Sequence, residues 1–573
     1  MKIRNLGAAL ALVLLTACGG GSGGDGESGG GSGGGSGTTP TPPVLPSPTP
    51  GEASRFLEQA SFGPTTSSIN ALAASNYEAW LSAEFAKPQT LHQTTVDEIK
   101  TGLAAGKSLD QSHFFESFWK QATTGDDQLR QRVAFALSEI FVVSFDGNLS
   151  GYVRGMASYY DMLGRNAFGN YRQLLEDVAR HPMMGIYLSH ARNQKENPSK
   201  GRVPDENFAR EIMQLFSIGL YELNADGSVK LGSDGKPLET YTNDDVSGLA
   251  KVFTGWSWAG PDTGDERFWG YGEDKDPDRD VKPMQGYNQF HSLSEKRFLG
   301  VTVAAQSKAD PDASLKAALD FLANHPNVGP FIGRQLIQRL VTSNPSPAYI
   351  SRVSAAFANN GKGERGDMKA VIRAVLLDPE AREASYAARD NYGKVREPIV
   401  RLANFLRAFN ASSASNRYLV GNTDSSSNRL GQSPLRSPSV FNFYRPGYVP
   451  PGTALASSGL VAPEFQITNE TSIAGYLNFM QEAVSKGVGS SYDIQPDFTA
   501  ELALAEKPDE LMARLDLLMT HNTMSATTKQ TIRDAVAAIT IPADAAKAEA
   551  ARKNRVRLAV FLVLASNDYL IQK

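Results

Sequence analysis

Cysteine is almost missing from this chain: of 573 residues only Cys18 carries a thiol. No internal disulfide is available, thiol chemistry and c-type haem attachment are excluded, and in an oxidising compartment the fold rests on its core alone. Positive charge is not in excess either, since Lys and Arg number 57 against 61 Asp and Glu. Without a basic stripe or aromatic-interleaved basic segment, nucleic acid is not an expected partner. The apolar run Leu6 to Leu15 is too short to span a bilayer as a helix. There is no Gly-x-Ser-x-Gly elbow, no phosphate-binding Gly-Lys-Ser/Thr loop and no Rossmann glycine triplet after a strand. Period-two alternation, the mark of half-buried strands, is also scarce.

What is present begins at the N-terminus. Lys2 and Arg4 precede the apolar run, and Leu15-Thr16-Ala17-Cys18 closes it. This is the layout of a secretory signal, and its cysteine resembles the lipobox of bacterial lipoproteins. Residues 1–17 are therefore expected to be a cleaved signal, with Cys18 the acylated mature terminus and a stable membrane anchor. Gly19 and Gly20 stand where an aspartate would retain such a protein in the inner membrane, so the outer membrane is expected. From Cys18 to residue 52 the chain is Gly/Ser-rich and then Thr/Pro-rich, a disordered tether with almost nothing to bury.

Residues 53–573 read as one large, mainly α-helical domain. Leu129, Val133, Ala136, Leu137, Ile140 and Phe141 recur with a period of 3.6. Similar stripes run through Tyr171 to Tyr187, Ser314 to Leu322, Phe331 to Val341, Met368 to Leu377, Val395 to Phe409, Glu510 to Met519 and Val556 to Leu570. One small β-hairpin is expected over Ser228 to Thr242, between the turn dipeptides Asp226-Gly227 and Asp234-Gly235. Ala259 to Asn288 and Asn410 to Gly452 read as long loops, which usually carry function or disorder. A weak echo links Leu175 to Gly185 with Leu319 to Gly329 through a shared His-Pro. Two helices that each stop before a proline account for it.

The segment Pro204 to Gly219 is the most informative. Pro204 and Asp205 supply a helix start and Gly219 a stop. Phe208, Ile212, Leu215 and Phe216 make one face, while Asn207, Arg210, Glu211 and Gln214 make another. The polar face reads either as solvated, with a weak Glu206/Arg210 pair, or as the wall of a cleft. On the second reading Glu206, Arg210, Glu211, Asp245 and His291 are the candidate catalytic residues. Asn207, Trp256 and Trp258 are candidate ligand-binding residues, the tryptophans as sugar-stacking platforms. His181, His190 and Asp244 stand nearby in the motif set. No ligand pair has the i, i+4 spacing of a helical metal motif, and no metal or cofactor is expected. Asp274, Asp276, Asp278 and Asp280 imitate a calcium loop, but Arg279 and Gln285 occupy the positions that need glycine and a bidentate glutamate.

The chain resembles the bacterial domain-of-unknown-function 1800 family. The resemblance is carried by Glu206-Asn207-Phe208-Ala209-Arg210-Glu211 with Leu215-Phe216, by Tyr241 to Val246 leading to Phe253-Thr254-Gly255-Trp256, and by Phe290-His291 with Lys296 and Gly300. Lys394-Val395-Arg396-Glu397-Pro398 and Pro438 to Tyr444 complete it, in family order. It implies an envelope-associated, mostly helical protein, encoded in many genomes beside a secreted sulfatase-like protein, and brings no catalytic residues. Two functions follow as expectations. The first is a binding or assembly factor that holds that secreted partner at the outer membrane. The second is a hydrolase of an envelope or extracellular polysaccharide, working through a carboxylate/His/Arg site.

Overall fold

The computed structural model describes residues 47–271 and 276–573. The signal, Cys18, most of the tether and Asp274 lie outside the described residues. The folded body is mainly helical, and its helices share one continuous apolar core. No helix among the described residues is long and apolar enough to cross a membrane.

The first helix, Pro50–Ala60, begins inside the stretch that composition assigns to the tether. Thr49 and Glu52 form a capping box and Pro50 occupies the first turn. These are the residues a helix N-terminus needs, and they suit a linker equally well. The 3.6-residue stripes become the helices Gln128–Ser138, Pro311–Asn324, Val328–Leu340, Met368–Leu377, Pro398–Ala408, Pro508–Thr520 and Ala545–Ala565. Two stripes break where proline dictates. Tyr171–Arg180 ends at His181 and Pro182–Tyr187 restarts after it. Lys394–Val395 is not helical but pairs antiparallel with Ile571–Gln572, and the helix starts at Pro398. The echo between the two His-Pro segments is a shared local device: His181 Nδ1 accepts the Met183 amide at 3.3 Å, and His325 Nδ1 the Asn327 amide at 3.2 Å.

Strands are few and short. Lys296–Phe298 pairs with Val301–Val303 across Gly300. That hairpin presses on the Asn243–Ala250 helix at Gly248, where an added Cβ would stand 1.6 Å from the Arg297 carbonyl oxygen, so only glycine fits. The hairpin expected over Ser228 to Thr242 is part of a larger device. Residues 220–224, 228–232 and 236–240 form three short extended segments, each bridged to the other two. A ring of backbone bonds closes them: Glu222 donates to Leu238, Leu238 to Lys230 and Lys230 to Glu222, at 2.8 to 3.0 Å. Buried Asn327 fastens this finger to the body through Leu223 N, Ile218 O and Tyr221 O. Because its three segments satisfy one another's backbone, the finger needs little side-chain burial. Leu220, Tyr221, Val229, Leu231 and Leu238 all stay exposed on it.

Candidate functional site

The sequence-selected helix forms as Asn207–Gln214, with Asp205 Oδ1 accepting the Asn207 amide at 2.9 Å. Its polar face is divided. Arg210 and Glu206 pair at 3.4 Å with their side chains 38% and 41% exposed, and Ser247 Oγ donates to Glu206 Oε1 at 2.5 Å. Asn207 is exposed. Glu211 is buried, its Oε2 lacks a hydrogen-bond partner, and burial holds its carboxyl above the usual range against the opposing charge of Arg210.

Asp245 does not reach this face. It caps the Asn243–Ala250 helix by accepting from Thr242 N and Oγ1, and it accepts the Leu299 amide at 2.6 Å, tying helix to hairpin. His291 is fully buried between Thr254 O, 2.8 Å from Nδ1, and Ser314 Oγ, 3.0 Å from Nε2; burial lowers its pKa to about 4. His181 and His190 are likewise buried, which brings them down to about 3 and about 4. Trp256 is buried with Nε1 donating to Val252 O, and Trp258 is buried beneath Arg279, whose guanidinium carbon lies 4.5 Å from its ring. Neither indole presents an open face for a sugar. No hydrogen bond or ion pair links Glu206, Arg210 or Glu211 to Asp245 or His291. Among the described residues no group of three His, Cys, Asp or Glu side chains is arranged to hold a metal.

The helix does contribute to a site, through its end. Gln214 and Leu215 line a cleft of about 370 Å³, large enough for a small ligand or a few residues of peptide. Its main wall is the Val328–Leu340 helix, which presents Phe331, Arg334, Gln335, Gln338 and Arg339 at i, i+3, i+4, i+7 and i+8. The opposite face, with Ile332, Leu336, Ile337 and Leu340, enters the core. The finger supplies Leu220, Tyr221, Leu223 and Val229 as the second wall, and the loop residues Val440, Phe441 and Arg445 the third. Gly219 makes the junction: its φ is +72° and a Cβ there would lie 2.8 Å from the Phe331 ring, so both conformation and space demand glycine.

Beneath the cleft lies a buried charge network. Glu139, at the end of the Gln128–Ser138 helix, accepts from Tyr444 OH and Asn442 Nδ2, each at 3.2 Å, and hydrogen-bonds the carboxyl of Glu397. Glu397 also accepts from Gln432 Nε2 at 2.9 Å and faces Lys394 Nζ at 3.5 Å, while that amine meets Glu464 at 3.1 Å. Arg339 Nε stands 3.6 Å from Glu139, its guanidinium lies over the Tyr444 ring, and its carbonyl accepts from Arg132 and Lys394. Every one of these side chains except Gln432 and Asn442 is ionisable, and all are buried.

The two coupled carboxyls divide one proton. Burial and the neighbouring charge of Glu397 push Glu139 up to about 8. Burial also opposes charge on Glu397, yet Lys394, the hydrogen bond from Glu139, Arg132 and Arg339 bring it down to about 2. Two carboxylates in contact cannot both ionise, and Glu397 is the one with Lys394 beside it and Arg132 in its field. At neutral pH Glu139 is thus a carboxylic acid on the cleft floor, held by a carboxylate behind it.

Sequence reasoning overlooked this site, although Lys394 to Glu397 and Asn442 to Tyr444 lie within its quoted motifs. The available signal was the Val328–Leu340 helix, where Arg334, Gln335, Gln338 and Arg339 share one face of an otherwise apolar segment.

Residues 55–571 match the family model described as protein of unknown function (DUF1800). The chain belongs to this family. The matched span includes the finger, the cleft and the whole charge network, so the site lies in the family domain rather than in an appendage. No curated protein and no solved structure matches the chain.

Proposed function

We propose that this DUF1800 chain is an envelope lipoprotein, tethered to the outer membrane through Cys18, that works as a binding and assembly factor for a secreted partner docking in the cleft. The observation that carries the reading is the finger at the cleft mouth. Five large apolar side chains, Leu220, Tyr221, Val229, Leu231 and Leu238, stay exposed on one small, internally closed device beside a mainly apolar cavity. Clustered exposed apolar surface beside a concave site is the usual form of an interaction surface, and it is costly to keep in water without a partner. The secreted sulfatase-like protein implied by the family resemblance is the partner to test first. A tether of more than thirty residues lets the body search for it while remaining at the membrane.

A second reading, acid–base hydrolysis of an envelope or extracellular polysaccharide, is favoured by the protonated Glu139 on the cleft floor, since a carboxyl neutral at pH 7 is what a general acid requires. The test is a pull-down of the mature body against the sulfatase-like neighbour and a polysaccharide panel, with the double variant Val229→Asp/Leu231→Asp beside wild type. Partner capture that falls at least roughly tenfold in the double variant supports docking at the finger. Capture that ignores the substitutions refutes it. Release of reducing ends by wild type but not by Glu139→Gln would select the hydrolase.

A further inference from the structure

We infer that the cleft takes a polypeptide segment bearing a carboxylate beside apolar side chains, with Arg334 as the anchor. This deepens the docking reading above and rests on it.

Arg334 stands on the cleft face of the Val328–Leu340 helix, half-buried, and its guanidinium makes no hydrogen bond or ion pair with any described residue. The other long cations of that neighbourhood are compensated. Arg339 lies in the field of the Glu397 and Glu464 carboxylates, and Lys394 meets both of them. Burial alone acts on Arg334, with no carboxylate offsetting it, and the cleft's own glutamate, Glu139, is protonated at neutral pH. Arg445, across the cleft, stacks on the Phe441 ring and has no acidic partner among the described residues either. A guanidinium partly withdrawn from water without a counter-ion is a ready receptor for a carboxylate, which it can bind through two parallel hydrogen bonds.

Two further groups define the ligand more narrowly. Next along the same helix face, Gln335 is a buried side-chain amide that makes no hydrogen bond with any described residue and can turn either end to a ligand, and Gln338 Oε1 is a buried acceptor without a donor. The orientation of Gln338 is settled by its Nε2, which donates to the carbonyls of Ser343 at 2.9 Å and Pro446 at 3.1 Å. A fixed unmet acceptor beside an amide free to donate suits a peptide unit, which offers an N–H and a C=O. A fatty acid or an inorganic anion brings acceptors only and would leave Gln338 Oε1 unpaired. Leu220, Val229, Phe331 and Val440 supply apolar wall for the neighbouring side chains. Charge, amide pairing and apolar surface therefore converge on an acidic–apolar peptide segment.

The experiment selects a displayed library of random nonapeptides on the full mature chain and measures the enriched peptides by fluorescence anisotropy. Enrichment of Asp or Glu next to Leu, Ile, Val or Phe is expected, with binding weakened roughly tenfold or more when that acid is replaced by its amide. Arg334→Gln should lose a similar factor and should no longer distinguish acid from amide, the signature of a direct pair in a double-mutant cycle. Arg552→Gln, a surface arginine paired with Glu506, should bind like wild type. A thermal melt of Arg334→Gln checks that it folds, which the lack of any partner for Arg334 leads us to expect. Enriched peptides without a carboxylate, or equal affinity for wild type and Arg334→Gln, overturn the anionic anchor while docking stands. Peptide binding unchanged by Val229→Asp/Leu231→Asp, or no enrichment at all, removes the docking reading with it. Decanoate bound in an Arg334-dependent way without any enriched peptide overturns the inference in favour of a lipid.

Discussion

Glu139 and Glu397 share a hydrogen bond in the same buried network, yet replacing each by glutamine should have opposite consequences. Glu139 is already neutral, so Glu139→Gln exchanges one uncharged group for another of the same shape. The amide can donate to Glu397 where the acid did, and its oxygen can still accept from Tyr444 OH and Asn442 Nδ2. A cost within about 1 kcal/mol is expected at pH 5.5. Glu397→Gln removes a carboxylate facing Lys394, with Arg132 and Arg339 close by, and leaves three buried cations with Glu464 as the remaining counter-charge of the network. Breaking a buried pair from one side typically costs about 3 to 5 kcal/mol.

The pH dependence separates the two further. The folded pKa of Glu139, about 8, lies above the unfolded value, so the stability it contributes is complete below pH 4.5 and is lost as pH rises through 8. Over that window wild type loses up to about 1.4 kcal/mol per pH unit relative to Glu139→Gln, which has no proton to release. Glu397, depressed to about 2, contributes stability above pH 4.5 that disappears as pH falls towards 2. Urea denaturation of wild type and both variants at pH 5.5, 7 and 8.5 measures all of this. Glu139→Gln should gain on wild type at each step, by about 2 kcal/mol between pH 5.5 and 7, and so overtake it by neutral pH. A stability difference between them that does not change with pH, or a Glu397→Gln variant within about 1 kcal/mol of wild type, would refute the shared-proton account.

Three other outcomes are expected. Arg210→Ala should cost under about 0.5 kcal/mol in urea denaturation, because its pair with Glu206 is solvated, whereas a loss of several kcal/mol would place that arginine in a buried pair. Burial keeps His291 neutral in the fold, so its share of stability is present above pH 6.5 and lost as pH falls towards 4; the His291→Gln variant should show a shallower decline in melting temperature between pH 6.5 and 5 than wild type, and an equal decline would show that His291 takes up its proton in place. Cys18→Ser should move the protein from the membrane to the soluble periplasmic fraction with an unchanged melting curve, and a variant still bound to membranes would rule out the lipid anchor.

The helical body was legible because a buried apolar face repeats every 3.6 residues and because proline and capping residues punctuate it, as His181-Pro182 and Glu397-Pro398 do. The finger was legible in part: its two Asp-Gly turns announced a hairpin, but the third segment, 220–224, joins by backbone bonds that carry no side-chain signature. The site was not legible, and Pro398–Ala408 shows why. All eleven residues of that helix are buried, including Arg401, Asn404 and Arg407. Arg401 Nε donates to Arg396 O at 2.6 Å, and Arg407 donates to Gly63 O and Thr123 O at 2.7 and 2.9 Å. In sequence those arginines read as the wet side of an amphipathic helix. Whether a charge is solvated or buried is decided by the acceptor it meets, and while Arg401 finds one five residues back, the others lie hundreds of residues away: Gly63 is 344 positions from Arg407, and Glu58 is 338 from Arg396. The same holds in reverse at the cleft, where Arg334 is singled out from the other arginines of the network by the partner it does not have. Such a vacancy has no sequence signature, because it depends on which acids the fold brings within reach.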